Sequence, residues 1–170
     1  MRRILLFILT CCSLNLFAQR DSSAIAFPAV EKDFSLLLGY NLGSYHFPEI
    51  GFAFNERSIA GHHPFAKAVY ASCEIRAGAG KPVIGPKLGA WIGGGAAGLA
   101  LGIAAAGYTD FSEFALRLRP EIGIGFDLFK VTYGYNIPLS NAVFLRVNRH
   151  QLSVAVLIPL HRNRNAAKFE

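Results

Sequence analysis

Apolar and polar residues alternate with a period of two along much of the chain. From Glu113 to Asp127, Leu116, Leu118, Ile122, Ile124 and Phe126 share one parity. Arg117, Arg119, Glu121, Gly123, Gly125 and Asp127 share the other. Successive side chains of a strand point to opposite faces, so this run predicts a strand with one oily and one charged or bare face. The same pattern recurs in Phe34–Gly43, Phe129–Pro138 and Gln151–Leu160, and Ile50–Asn55 makes a shorter run. In Lys67–Arg76, the polar side carries Tyr70, Ser72, Glu74 and Arg76. Val83–Gly93 and Gly98–Tyr108 complete a set of about eight runs, separated by Gly, Pro, Asn and Asp.

These runs predict an all-β fold. The expected architecture is a single antiparallel, up-and-down transmembrane β-barrel of about eight strands. Most runs are close to the roughly 9–11 residues that a membrane-crossing strand needs. An even number of antiparallel strands can close without leaving backbone groups unsatisfied in lipid. About eight strands leaves an interior that side chains fill. The charges expected to point inward together are Glu74, Arg76, Lys87, Arg117, Arg119, Glu121 and Lys130, and both signs are present. A selective channel and a space-filling charge network both use such a set. The narrow lumen favours the network, in which pairing offsets the cost of burial. Tyr40, Tyr45, Phe47, Phe52, Phe54, Tyr108, Phe126, Phe129 and Tyr135 cluster toward strand ends, as interfacial girdles do.

The N-terminus places this barrel in a compartment. Arg2 and Arg3, an apolar stretch from Ile4 toward Phe17, and Ala18 follow the plan of a cleaved secretory signal peptide. The expected division is therefore a signal over 1–18, a barrel over 19–160 and a polar tail over 161–170. Cys11 and Cys12 raise a lipoprotein reading, but the apolar stretch before them is very short. Cys73 is the one cysteine beyond the signal, so no internal disulfide is expected. The chain is 52% hydrophobic and 16% charged, against about 25% charged in a soluble domain. Its net charge of +6 is scattered rather than gathered in a basic stripe, which argues against nucleic acid as a partner. Outer-membrane lipids are the expected partners, and the outer membrane the expected location.

Phe17-Ala18-Gln19 at the signal end, Gly85-Pro86-Lys87-Leu88-Gly89, Arg119-Pro120-Glu121-Ile122-Gly123 and Tyr133-Gly134-Tyr135-Asn136-Ile137-Pro138-Leu139 carry a resemblance. In pattern and size the chain resembles the small outer-membrane β-barrel proteins of Gram-negative bacteria, such as the OmpA transmembrane domain and OmpX. The resemblance implies a barrel inserted from the periplasm with both termini on that side. Such barrels often finish on an aromatic residue of the last strand. Here the last run stops near Leu160 and a polar tail follows.

Other readings compete. Leu88–Gly107 is twenty uncharged residues with Gly94, Gly98 and Gly102 at four-residue spacing, the pattern of an inner-membrane glycine-zipper helix. Gly93-Gly94-Gly95 suits a tight strand connection better than a helix centre. A lipid-modifying barrel enzyme needs a nucleophile beside a base. His150 and Ser153 are the nearest candidates, and on a regular strand they face opposite sides. Hence no catalytic residue and no enzymatic activity is expected. His62 and His63 have only Glu56 nearby as a carboxylate, short of the three or four ligands a metal normally takes, so neither metal nor cofactor is expected. A soluble periplasmic ligand-binding barrel would preserve the alternation with the oily parity turned inward. The expected function is therefore a structural or interaction barrel of the outer membrane with a filled lumen. The turns expected at its outer end lie near 44–48, 78–82, 108–112 and 140–150, and the segment 55–64 falls at the opposite end.

Overall fold

The computed structural model of the protein describes residues 29–60, 63–76, 81–126, 128–140 and 146–165. The proposed signal peptide lies outside these residues. Nine strands follow in order: β1 (Ala29–Leu42), β2 (Phe47–Ala60), β3 (His63–Arg76), β4 (Val83–Gly94), β5 (Leu99–Thr109), β6 (Phe114–Phe126), β7 (Phe129–Tyr135), β8 (Ile137–Pro138) and β9 (His150–Asn165). β7 and the two-residue β8 are one stave interrupted at Asn136, since both pair with β6. Each stave pairs antiparallel with the next, and β9 pairs with both β7 and β1. The sheet therefore closes as an eight-stranded antiparallel barrel, in agreement with the sequence expectation. Closure removes the unpaired edges that an open sheet exposes.

The register sets the geometry. One circuit of paired positions runs Lys32, Glu56, Lys67, Ile92, Leu101, Ile122, Tyr133, Leu152 and back to β1 at Leu42. The return lies ten residues from the start, a shear that tilts the strands roughly 40° from the barrel axis. The pleat then sorts the two parities by polarity. Leu38, Ile50, Phe52, Val69, Leu88, Leu101, Ile103, Ile122, Leu152 and Val156 point outward and are exposed, whereas Asn41, Glu49, Glu74, Lys87, Arg119 and Thr132 are buried inside. The ligand-binding reading required the reverse, with Leu, Ile and Phe lining a cavity, whereas these residues face outward.

Several boundaries differ from the sequence expectation for reasons that lie in pairing. β2 runs from Phe47 to Ala60, so the segment 55–64 is mostly strand and the connection is confined to positions 61 and 62. The charges Glu56 and Arg57 obscured this continuation. They stay in the strand because Lys32, Lys67 and Glu31 face them from the flanking staves. β9 continues past Leu160 to Asn165, because β1 offers partners down to Val30. The register shifts at Leu160, where Pro159 pairs with Ser35 and His161 with Phe34. A proline, which cannot donate to the ladder, is well placed beside a bulge.

Leu88–Gly107 forms β4, a turn and β5 rather than a helix. Among the described residues, no helix is long and apolar enough to cross a membrane. The turn itself explains the glycines: Gly98 donates to the Gly95 carbonyl (3.1 Å), and both residues adopt positive φ (+60° and +77°). A Cβ at Gly98 would also meet the Phe126 ring at 2.4 Å. At the opposite end, the Asp110 carboxylate accepts hydrogen bonds from the backbone N–H of Glu113 (2.9 Å) and Ser112 (3.0 Å). These bonds hold its pKa below the usual value and close the β5–β6 turn, in which Phe111 takes a positive φ.

Candidate functional site: a hydrogen-bonded ring across the lumen

The inward positions form layers along the barrel axis. The widest-reaching layer is a ring of polar side chains. Lys87 on β4 donates to Glu49 on β2 (2.7 Å) and to Oε1 of Glu74 on β3 (2.9 Å). Arg119 on β6 donates to the same Oε1 (2.6 Å) and to Oε2 (3.2 Å), and through Nε to Asn136 (2.9 Å). Asn136 donates to Gln151 on β9 (3.1 Å), Gln151 to Asn41 on β1 (2.9 Å), and Asn41 back to Glu49 (3.0 Å). Tyr108 on β5 joins by donating to Glu74 and accepting from Arg119. The ring thereby ties all eight staves together. Ser72 and Ser153 fill it out, donating to Glu49 (2.6 Å) and Asn41 (2.5 Å).

Room for the ring comes from small residues. A Cβ at Gly85 would meet the Tyr108 ring at 2.6 Å, so glycine there is what admits the tyrosine. Above the ring, Phe47, Val83, Ala106 and Ala115 pack around the same tyrosine, with Phe47 and Tyr108 in edge contact at 5.7 Å. Toward the other end, Lys130 donates to Glu121 (2.6 Å), and the ammonium groups of Lys130 and Lys87 stand 5.0 and 5.4 Å from the Tyr70 ring centroid. Leu37, Ala53, Ala66, Ala68, Trp91, Ala104 and Leu157 then form an apolar plug around Tyr70. Beyond it, Arg57 pairs with Glu31 and with Asp33 (3.4 Å).

This arrangement balances charge where burial makes imbalance costly. Glu49, Glu74 and Glu121 face Lys87, Arg119 and Lys130, and all six are buried. Unpaired, such ions would each cost several kcal/mol. Carboxylates, cations and aromatic rings interdigitate across the interior.

Five of the seven charges singled out from the sequence belong to this interior: Glu74, Lys87, Arg119, Glu121 and Lys130. Arg117 is inward in register and half-buried one step further along β6. Arg76 departs from the expectation. It stands at the mouth, donating to the Arg146 carbonyl (3.2 Å) with its guanidinium 4.8 Å from the Tyr45 ring centroid. As the last residue of β3, it is free to turn toward the β8–β9 loop. Phe47 and Tyr108, expected in an outer girdle, are fully buried in the lumen. Their parity with Ala53 and with Ala104 and Ala106 was the available signal. Glu49 lies just outside the Ile50–Asn55 run, and its parity with Gly51 and Ala53 is the sequence signal for its inward position. Asn41, Asn136 and Gln151 carry no charge, and nothing local marks them as members of a ring.

The other candidates are placed apart. Ser153 is buried on Asn41, whereas His150 is exposed and hydrogen-bonded to the Tyr133 hydroxyl (2.5 Å). Among the described residues, no group of three or more His, Cys, Asp or Glu side chains could hold a metal. His62 lies outside those residues, and His63 opens β3. Cys73 is half-buried and free. No protein-family model, curated protein or solved structure matches the chain.

Proposed function

We propose that the protein is a transmembrane barrel of the bacterial outer membrane, of structural or interaction type, with a lumen closed by its own side chains. The observation that carries this reading is the inverted polarity of the barrel. Its outward face is a nearly unbroken apolar surface around every stave, from Leu38 and Phe52 through Leu88, Ile103 and Ile122 to Val156. A monomer in water rarely exposes apolar patches beyond a few hundred Å². In a bilayer the same surface meets its preferred solvent.

The dimensions support the reading. The outward positions of β1 from Lys32 to Leu42 lie ten residues apart. At roughly 3.4 Å per residue and roughly 40° of tilt, that span is about 26 Å along the axis, against about 25 Å for the apolar band of outer-membrane barrels. Outer-membrane lipids are then the immediate partners. The arginine-led N-terminus supplies the export signal that this location requires. The ring and the apolar plug favour structural support or surface contact over solute passage.

The test is fractionation of cells expressing the full chain, followed by gel migration with and without boiling. A heat-shifted band in the outer membrane is expected. A soluble periplasmic or inner-membrane band would overturn the proposal. Purified protein in planar bilayers is expected to give no steady conductance, and discrete ohmic steps would refute a closed lumen.

A further inference from the structure

One stretch of the apolar outer face is interrupted by charge. On the outward parity of the described strands, the formally charged residues are Lys32, Glu56 and Lys67, and they stand side by side on β1, β2 and β3. Glu56 holds both lysines at once, Lys32 on Oε1 at 3.3 Å and Lys67 on Oε2 at 2.5 Å. The trio carries a net charge of +1, and both ammonium-bearing side chains remain more than half exposed (62% and 54%). A depression of about 590 Å³ opens directly beside it on the barrel's outside. Its apolar walls are Phe34, Phe54, Val69 and Ile92, with Ala90 leaving the space between neighbours. Phe54 and Val69 are 70% and 63% exposed, among the most exposed apolar side chains on any strand. Phe34 is stacked 5.5 Å from Phe52 and tilted against Phe54 at 5.1 Å, which stiffens one wall.

We propose that this groove is a binding site for an anionic glycerophospholipid, with Lys32 and Lys67 holding its phosphate and an acyl chain lying along Phe34, Phe54, Val69 and Ile92. The inference rests on the transmembrane reading above. The groove has a charged end and an apolar length, which is the polarity of a lipid and not of a soluble ligand. The trio lies toward the end of the barrel that carries the 95–98 turn, where strands β4 and β5 finish their outward apolar run at Ile92 and Leu99. That level is where headgroups begin. Its net positive charge complements a phosphate, and lysine beside an anionic leaflet is a recognised source of affinity. The volume falls within the roughly 300–1,000 Å³ range of small-molecule sites. The paired carboxylate keeps the two lysines splayed on either side of Glu56, so that the phosphate bridges them from the solvent side.

The test uses the purified protein in detergent micelles doped with equal phosphatidylglycerol and phosphatidylcholine, read by native mass spectrometry of retained lipid. Preferential retention of phosphatidylglycerol is expected. K32Q and K67Q are each expected to lower that preference roughly five-fold, and E56Q to raise it. A90F, which fills the groove without touching charge, is expected to lower retention of both lipids. K81Q, at the opposite end of the barrel, serves as the control and should change nothing. Heat-shifted migration of every variant checks that the barrel is intact. Equal retention of the two lipids by a heat-shifting protein would show annular contact only, and would overturn this site while leaving the membrane reading standing. A protein that neither shifts on heating nor enters vesicles would overturn both.

Discussion

Neutralising Glu74 tests the closed lumen most directly. Glu74→Gln removes one of the three carboxylates that face Lys87, Arg119 and Lys130, and leaves those cations with Glu49 and Glu121 alone. It also replaces an oxygen that accepts from Arg119 and Tyr108 with an amide N–H₂, setting donor against donor. Breaking one partner of a buried ion pair costs about 3–5 kcal/mol. The donor conflict puts E74Q in the upper part of that range. Arg119→Met is expected to cost a similar amount, because Glu74 would retain only Lys87 as a cation partner. The double variant restores charge balance, so its cost should fall short of the sum by about 1–3 kcal/mol. The assay is urea unfolding of the reconstituted protein followed by fluorescence of Trp91, the single tryptophan in the chain. It is 3% exposed within the apolar plug and so reports directly on the lumen. A cost for E74Q below about 1 kcal/mol, the range of solvated surface pairs, would mean that water reaches the ring. Strict additivity of the two substitutions would refute the ring as a coupled unit.

Three further outcomes follow from the same geometry. Ile122→Arg places a charge on the outward face of β6 midway along the span, and should cost about 2–4 kcal/mol in a bilayer; urea titration in lipid vesicles showing no loss would contradict insertion at that depth. Gly98→Ala forces a side chain into positive φ and against the Phe126 ring, and should lower stability by at least about 1 kcal/mol in the same titration. Asp110 has a pKa depressed by the Glu113 and Ser112 amides, so its contribution is present above the ordinary value of 3.8 and is lost only as pH falls through the lower, folded value. Amide chemical shifts of Ser112 and Glu113 should accordingly titrate with a midpoint below 3.8, and a midpoint at or above it would show that the carboxylate does not hold the turn.

Alternation in β6, β7 and β9 assigned the correct parity to nearly every residue, because a strand's pleat depends on nothing beyond the strand. The same parity put Glu74, Lys87, Arg119, Glu121 and Lys130 on the inward side. Where an element's persistence depended on its neighbours, local pattern stopped short. Glu56 and Arg57 look like the start of a loop until Lys32, Lys67 and Glu31 are brought beside them. Residues beyond Leu160 look like a polar tail until β1 offers a ladder.

Composition and the period of two are properties of the chain read in order, and they were enough to specify strands, their number and which face is oily. Partnership inside the barrel is a different kind of quantity. Glu74 meets Arg119 across 45 residues of sequence, and the meeting depends on the register of several successive pairings and on a shear of ten. A one-residue slip in any of those pairings would turn one stave inside out and break the ring. No local window contains that information, because it resides in how the staves close on one another. Strand pairing and register decided that Arg76 turns to the mouth, that Tyr108 enters the lumen, and that three outward charges gather beside one groove.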